Sequence, residues 1–126
     1  MPAHLYVAVV EDDESVRRSL HRLLQQAGLQ TIGFASAEDF LADSMRDHFQ
    51  CLLLDVRLGG MSGIELQQRL IALGVHKPVI YITSHDDPDA KTEALSTGGC
   101  FGYFSKTDPG PRIIEAVRRA ASGAGS

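Results

Sequence analysis

The sequence predicts an α/β protein in which a five-stranded parallel sheet is covered by helices on both faces. Two observations predict this fold class. Short apolar runs alternate five times along the chain with longer segments whose apolar residues recur at helical spacing. The short runs are apolar throughout, which is typical of strands that are buried on both faces of a parallel sheet.

The first half of the chain predicts three of the strands and two of the helices. In chain order these are a strand over residues 5–10, a helix over residues 16–27, a weaker strand over residues 31–34, a short helix after residue 36, and a strand over residues 51–54. Gly28 follows the first helix and is expected to close it. Ser36 is expected to cap the second helix, because its hydroxyl can accept a hydrogen bond from a free backbone N–H group.

The second half predicts the remaining elements. They are a helix over residues 64–73 closed by Gly74, a strand over residues 79–82, a weak helix around residues 90–95 closed by Gly98 and Gly99, a strand over residues 101–104, and a final helix through residues 113–120. We expect Asp108 to be the N-cap of the final helix and Pro109 its first residue. Residues 1–121 are expected to form one domain, and residues 122–126 a flexible tail or the start of a linker.

Length and composition agree with a single domain. The chain has 126 residues, of which 44% are hydrophobic and 22% charged, with a net charge of -4. The acidic balance argues against nucleic-acid binding by this domain, because phosphate contacts need clustered lysine and arginine. Two cysteines can form neither a disulfide scaffold nor a closed zinc site. With no visible export signal and no apolar run near the ~20 residues of a membrane span, a cytoplasmic location without membrane contact is expected.

Polar residues follow four of the five strands. They are Glu11, Asp12 and Asp13 after the first, Asp55 after the third, Thr83 and Ser84 after the fourth, and Ser105 and Lys106 after the fifth. The carboxyl ends of parallel strands meet at one edge of a sheet, so these side chains should converge. Clustered carboxylates repel one another, and a hard divalent cation such as Mg²⁺ or Mn²⁺ relieves the repulsion. Asp55 could then attack phosphorus as a nucleophile, while Thr83 and Lys106 stabilise the phosphoryl oxygens.

Five motifs, in this order, resemble the receiver domain of two-component response regulators over essentially the whole chain. They are residues 9–14 (VVEDDE), 52–58 (LLLDVRL), 61–63 (MSG), 81–84 (YITS) and 103–106 (YFSK). Residues 14–20 and 36–41 resemble the LuxR/FixJ subgroup. The resemblance implies a flavodoxin-like, doubly wound (βα)5 fold with the strand order 2-1-3-4-5.

The resemblance also implies roles for individual residues. Asp55 matches the phosphorylated aspartate, Asp13 the direct metal ligand, Asp12 the acid that acts through a metal-bound water, Arg57 the residue whose backbone carbonyl binds the metal, Thr83 the switch hydroxyl, Lys106 the lysine of the site, and Tyr103 the switch aromatic. Such a domain takes a phosphoryl group from a sensor histidine kinase with Mg²⁺ or Mn²⁺. It is not an enzyme beyond its own phosphotransfer and autodephosphorylation.

The implied output lies outside this domain. Phosphorylation would change the surface formed by the last two helices and the strand between them, which could support a homodimer. A DNA-binding output domain beyond this chain would then regulate transcription.

The sequence departs from the family pattern near the site. Thr107 stands where proline usually follows the lysine in a cis bond, and a cis bond before threonine costs roughly 3–4 kcal/mol against about 0.5–1 before proline. Either that strain is retained or the loop is trans and reshaped. Gly59 stands where proline is common, and Ser84 where alanine or glycine is common. Arg57 and His85 flank the expected path of an attacking water.

Other functions remain open at the level of sequence. A phosphatase with an aspartyl nucleophile usually carries a second aspartate two residues further on, where this chain has Arg57. A degenerate receiver would bind partners without phosphorylation, and Thr107 favours this alternative slightly. A flavodoxin would need a hydroxyl-rich phosphate loop after the first strand, which this chain lacks.

Overall fold

The computed structural model describes residues 6–43, 48–84 and 88–123. Within them, five strands alternate with five helices. The elements are β1 (Tyr6–Val10), α1 (Glu14–Gln26), β2 (Gln30–Phe34), α2 (Ala37–Ala42), β3 (Cys51–Asp55), α3 (Gly63–Ala72), β4 (Val79–Thr83), α4 (Pro88–Thr97), β5 (Cys100–Ser105) and α5 (Gly110–Ser122). The α/β class predicted from the alternating pattern is confirmed.

All five strands join one parallel sheet in the order β2-β1-β3-β4-β5. This is the doubly wound order that the resemblance implies. β3 lies at the centre, and β2 and β5 form the two edges. As a result, the carboxyl ends of β1, β3 and β4 lie side by side.

Each face of the sheet has its own hydrophobic core. Consecutive residues of a strand point to opposite faces, so a wholly apolar strand contributes to both cores. Under α1 and α5 the core contains Val7, Val9, Leu20, Leu24, Leu53, Ile80, Ile82, Ile113 and Val117. Under α2, α3 and α4 it contains Ala8, Val10, Phe34, Phe40, Leu52, Leu54, Leu66, Leu70, Tyr81 and Ala94. Cys51, at the start of the central strand, is a free and fully buried thiol.

Most of the predicted helix ends are confirmed. The Ser36 hydroxyl accepts a hydrogen bond from the Asp39 backbone N–H at 3.0 Å and so caps α2. Gly28 and Gly74 have φ angles of 86° and 82°, in the left-handed region where a glycine ends a helix at little cost. None of the helices in the described ranges is both long and apolar enough to cross a membrane.

The start of α5 differs from the prediction. Pro109 occupies the N-cap position and the helix begins at Gly110. Asp108 does not cap the helix, because its carboxylate turns back and accepts a hydrogen bond from the Ser105 backbone N–H at 2.9 Å. At the other end, α5 includes Ser122, although the predicted tail begins at that residue. Gly123 caps the helix with a φ of 77°. Residues 124–126 of the predicted tail lie outside the described ranges.

The loop after β5 resolves the alternative posed by Thr107. The described residues contain no cis peptide bond, so the bond between Lys106 and Thr107 is trans. The Ser105 hydroxyl accepts a hydrogen bond from the Thr107 backbone N–H at 3.1 Å and lies 2.8 Å from the Thr107 hydroxyl. The Lys106 backbone N–H donates to the Thr83 carbonyl oxygen at 2.8 Å, which ties the reshaped loop to the end of β4.

Candidate functional site

The candidate site lies at the carboxyl edge of the sheet. Glu11 follows β1, Asp55 ends β3, Thr83 ends β4 and Lys106 follows β5. Glu11, Asp55 and Thr83 are all buried. Because β1, β3 and β4 are neighbours, these polar side chains converge although they are far apart in the sequence.

Both carboxylate oxygens of Asp55 have a hydrogen-bond donor. Its Oδ2 accepts from the Lys106 ammonium at 2.9 Å, and its Oδ1 accepts from the Arg57 backbone N–H at 3.0 Å. The backbone of Asp55 is held just as closely, since a Cβ at Gly63 would lie only 2.2 Å from the Asp55 carbonyl oxygen. Only glycine lets α3 begin so near the end of β3, and this contact fixes the position of Asp55.

Lys106 joins two buried acids. Its Nζ lies 2.8 Å from Glu11 Oε1 and 2.9 Å from Asp55 Oδ2. Partial burial lowers the pKa of Lys106, but the hydrogen bonds to Glu11 and Asp55 outweigh that effect, so the pKa is raised overall. The ammonium is therefore fully ionised at neutral pH. It reaches the site even though the residue after it is not proline.

Glu11 is a site residue that lies outside the metal set predicted from the sequence. Burial raises its pKa from 4.5 to about 7, opposed by the hydrogen bond from Lys106 and assisted by the nearby charge of Asp55. Its Oε2 accepts a hydrogen bond from the Asp13 backbone N–H at 3.0 Å. The sequence signal that could have identified Glu11 is the end of the apolar run at Val10. Glu11 is the next residue and therefore the first beyond β1 at the edge of the sheet.

One carboxylate oxygen from each of Glu11, Asp12 and Asp55 lies within 4.8 Å of the others. Asp13, expected from the resemblance to be a direct metal ligand, is not in this group. Its Oδ1 accepts hydrogen bonds from the backbone N–H groups of Ser15 and Val16 at 2.9 and 3.1 Å, so it is the N-cap of α1. The helix begins one residue after Asp13, which draws the carboxylate toward the free N–H groups of its first turn.

The remaining predicted residues surround this group. Thr83 is buried beside Asp55 at the end of the next strand, while the Arg57 side chain is exposed. Tyr103 is half-buried in β5, with its ring centroid 6.1 Å from that of Tyr81 and 5.9 Å from the Lys91 ammonium. His85, which was expected to flank the path of a water, lies outside the described residues.

Two of the departures from the family pattern also lie at this edge. A Cβ at Gly59 would be 3.6 Å from Asp12 Oδ2, so the loop after β3 passes close to the exposed acid of the group. Ser84 is exposed directly after Thr83.

The sequence matches the response regulator receiver domain over residues 7–118. The chain therefore belongs to this family, and the predicted resemblance is confirmed. Receiver domains belong to two-component systems, act as phosphoacceptors rather than ordinary enzymes, and bind Mg²⁺ at an acidic pocket.

Two curated relatives give the comparison more detail. The chain is 42% identical over 111 residues to nodulation protein W of Bradyrhizobium diazoefficiens, an alignment that covers 88% of this chain and 48% of that protein. It is 39% identical over 118 residues to the transcriptional regulatory protein FixJ of Azorhizobium caulinodans, covering 94% and 56%. The chain thus spans about half the length of these relatives.

Solved structures agree with the subgroup. The crystal structure of FixJ-N superposes with a TM-score of 0.86 at 34% identity and covers 96% of both chains. The response regulator StyR superposes with a TM-score of 0.85 at 36% identity, covering 95% of this chain and 60% of that one. Together with the curated FixJ relative, these structures are consistent with a FixJ-like receiver.

Proposed function

We propose that this chain accepts a phosphoryl group on Asp55 from the phosphohistidine of a sensor histidine kinase, with Mg²⁺ or Mn²⁺ as cofactor. The observation that carries the proposal is the arrangement around Asp55. A buried carboxylate has Lys106 on one oxygen and a backbone N–H on the other, and lies within 4.8 Å of two further acids. Membership of the receiver family supports the same reaction.

Glu11, Asp12 and Asp55 would hold the cation. The set consists entirely of carboxylate oxygens, which are the ligands that hard divalent cations prefer. The raised pKa of Glu11 shows that its ionised form is disfavoured by burial even beside Lys106, so a bound cation would be stabilising here. By family resemblance, the Arg57 backbone carbonyl would add a further oxygen. When bound, the cation supplies positive charge against the phosphoryl oxygens.

The transfer uses the groups already in place. One carboxylate oxygen of Asp55 forms a bond to phosphorus, while the bond from phosphorus to the kinase imidazole nitrogen breaks. The imidazole leaves with that electron pair and takes up a proton. Lys106 remains ionised and pairs with a phosphoryl oxygen, and the Thr83 hydroxyl donates a hydrogen bond to another.

A receiver that is never phosphorylated is the alternative that Thr107 favoured. The contacts of Lys106 with Asp55 and Glu11, at 2.9 and 2.8 Å, weaken that reasoning. The trans loop still delivers the ammonium to both acids. A phosphoaccepting receiver is therefore the better supported function.

The consequence of phosphorylation would be a changed surface on α4, β5 and α5, at which two copies of the chain associate. Thr83 and Tyr103 would couple Asp55 to that surface, since Thr83 lies on β4, next to the strand of Asp55, and Tyr103 lies on β5, which is part of the surface. The chain spans about half of its curated relatives, one of which is named a transcriptional regulatory protein. We therefore propose that an output domain outside this chain regulates transcription in the cytoplasm. We also propose that residues 1–121 form the receiver, with α5 reaching one residue further, to Ser122.

Intact-mass measurement after incubation with acetyl phosphate and Mg²⁺ tests the proposal. The wild-type chain should gain one phosphoryl group that is lost in mild base, whereas Asp55→Asn should gain none. Asp39→Asn, on the exposed face of α2, is the matched control and should behave like the wild type. Absence of any gain in the wild type, or an undiminished gain in Asp55→Asn, would contradict it.

A further inference from the structure

Among the described residues, the outer edge of the strand β2 pairs with no other strand. This strand is the first of the sheet, and β1 is its only neighbour among the described strands. The register pairs Phe34 with Val10, and the Phe34 carbonyl oxygen accepts from the Glu11 N–H at 3.0 Å. Because alternate residues of a parallel strand bond to the same neighbour, Thr31 and Gly33 point their backbone N–H and C=O groups away from β1.

A cationic groove runs between this edge and α1. It measures about 630 Å³ and is lined by Arg17, Arg18, His21, Arg22 and Gln25 of α1 and by Thr31, Ile32 and Gly33 of β2. α1 carries three arginines and one acid in a chain whose net charge is -4. The groove is therefore locally positive on an acidic protein.

The cations of the groove fall into two groups. Arg17 is engaged, since its Nη1 donates to the Glu11 carbonyl oxygen at 2.8 Å and its stem covers Gly33. His21 is engaged as well, in a hydrogen bond with Thr31. Arg18 and Arg22 are exposed, and no described carboxylate lies within ion-pair distance of either. Two guanidinium groups thus remain available for an anionic ligand.

The spacing of these two arginines matches an extended chain. Four residues along a helix advance it by about 6 Å. Alternate side chains along a strand are about 6.6 Å apart. A strand added to β2 could therefore place carboxylates at two alternate positions on Arg18 and Arg22. Its intervening side chains would face the opposite side of the sheet, where Ile32 is 41% exposed.

We propose that β2 and α1 bind an extended segment of a partner protein in which acidic and apolar residues alternate. The segment adds to the sheet as a sixth strand, through hydrogen bonds with Thr31 and Gly33. Arg18 and Arg22 select the acidic positions and Ile32 the apolar ones. This site goes beyond phosphorylation of Asp55, which requires neither the outer edge of β2 nor the exposed arginines.

The probe is a fluorescein-labelled peptide in which Glu alternates with Val, titrated by fluorescence anisotropy at physiological salt. We expect saturable binding that Arg18→Gln/Arg22→Gln weakens by about tenfold or more, because two charge-assisted hydrogen bonds are lost. The matched control Arg69→Gln/Arg119→Gln removes two exposed arginines from α3 and α5 and should bind like the wild type. Thermal unfolding of each variant establishes that it is folded.

A second peptide separates strand addition from simple charge attraction. It has the same sequence, but every second backbone nitrogen is methylated so that it cannot donate to the edge. We expect it to lose binding, and we expect the unmodified peptide to protect the Thr31 and Gly33 amides from hydrogen exchange. Equal binding of the methylated peptide, equal binding of tripolyphosphate or duplex DNA at matched charge, or no saturable binding would overturn the proposal.

Discussion

At the scale of single residues, one ammonium group serves two buried carboxylates. The Lys106 Nζ lies 2.8 Å from Glu11 and 2.9 Å from Asp55, and no other described cation pairs with either acid. The three side chains carry one net negative charge when all are ionised. The raised pKa of Glu11 is the expected response, because protonating one carboxyl group removes that excess.

This arrangement predicts that the metal-free protein loses stability as the pH rises. The pKa of Glu11 in the folded chain is about 7, above its ordinary value of 4.5. The folded state therefore binds the Glu11 proton more tightly than the unfolded state does. The stability that this proton contributes is lost as the pH rises from 4.5 to about 7. Glu11→Gln should reduce the fall in unfolding free energy between pH 5 and pH 8 by about 1–3 kcal/mol in urea titrations with EDTA. The prediction would be contradicted if Glu11→Gln left the fall in unfolding free energy unchanged. Asp12→Asn is the control, because Asp12 is exposed, and it should behave like the wild type.

A second prediction separates the two adjacent acids Asp12 and Asp13. Asp12→Asn should weaken Mg²⁺ binding by about tenfold or more, since it removes a carboxylate from the cation group. Asp13→Asn should keep Mg²⁺ affinity close to wild type, because Asp13 lies outside the acidic group, its Oδ1 caps α1, and asparagine also caps helices. Isothermal titration with MgCl₂ measures both affinities. A larger loss from Asp13→Asn than from Asp12→Asn would contradict this prediction and identify Asp13 as the ligand.

At the scale of elements, apolar pattern predicted where strands and helices lie, but not what the polar residues next to them do. The run through Val10 located β1, but three consecutive acids follow it. Glu11 and Asp12 both lie in the acidic group with Asp55, whereas Asp13 caps α1, and the apolar pattern alone does not distinguish these roles. The predicted N-cap of α5 was wrong because the Asp108 carboxylate accepts a hydrogen bond from the Ser105 backbone N–H instead. Only the folded loop brings that donor close to Asp108.

The junction between β3 and α3 gives a prediction at this scale. Gly63 has an ordinary negative φ, so its role is steric: an added Cβ would meet the Asp55 carbonyl oxygen at 2.2 Å. Gly63→Ala should push α3 away from β3 and lower the unfolding free energy by about 1–3 kcal/mol. It should also slow phosphorylation by acetyl phosphate, because Asp55 is displaced. Gly60→Ala is a control, since its Cβ would meet only the movable end of the Glu38 side chain. Equal effects at the two positions would contradict the prediction.

At the scale of the whole molecule, different helices cover the two faces of the sheet. α1 and α5 cover one face, and each carries three arginines and one glutamate. The other face is covered by α2, α3 and α4. Fold class followed from sequence because it depends on averages over many apolar residues, whereas the strand order was implied by the resemblance to the receiver family. The sequence had no comparable signal for which surface receives a partner.

The proposed dimer surface can be tested with two exposed leucines. Leu95 of α4 is 56% exposed and belongs to that surface, whereas Leu73, at the end of α3, is 57% exposed and does not. With Mg²⁺ and beryllofluoride, a phosphoryl mimic, the wild type and Leu73→Asp should form dimers while Leu95→Asp stays monomeric. Size-exclusion chromatography with light scattering distinguishes the states. Dimers of Leu95→Asp, or a wild type that stays monomeric, would reject this surface.

Cys51 makes the central strand chemically observable. Burial raises the pKa of its thiol to about 12, so in the closed sheet it has neither the thiolate nor the access that alkylation requires. Once Cys100 is replaced by serine, any labelling of the chain reports the moments when β3 separates from its neighbours. The rate of that labelling measures how often β3, the strand that carries Asp55, opens. It can be read with and without beryllofluoride, under native conditions and without denaturant.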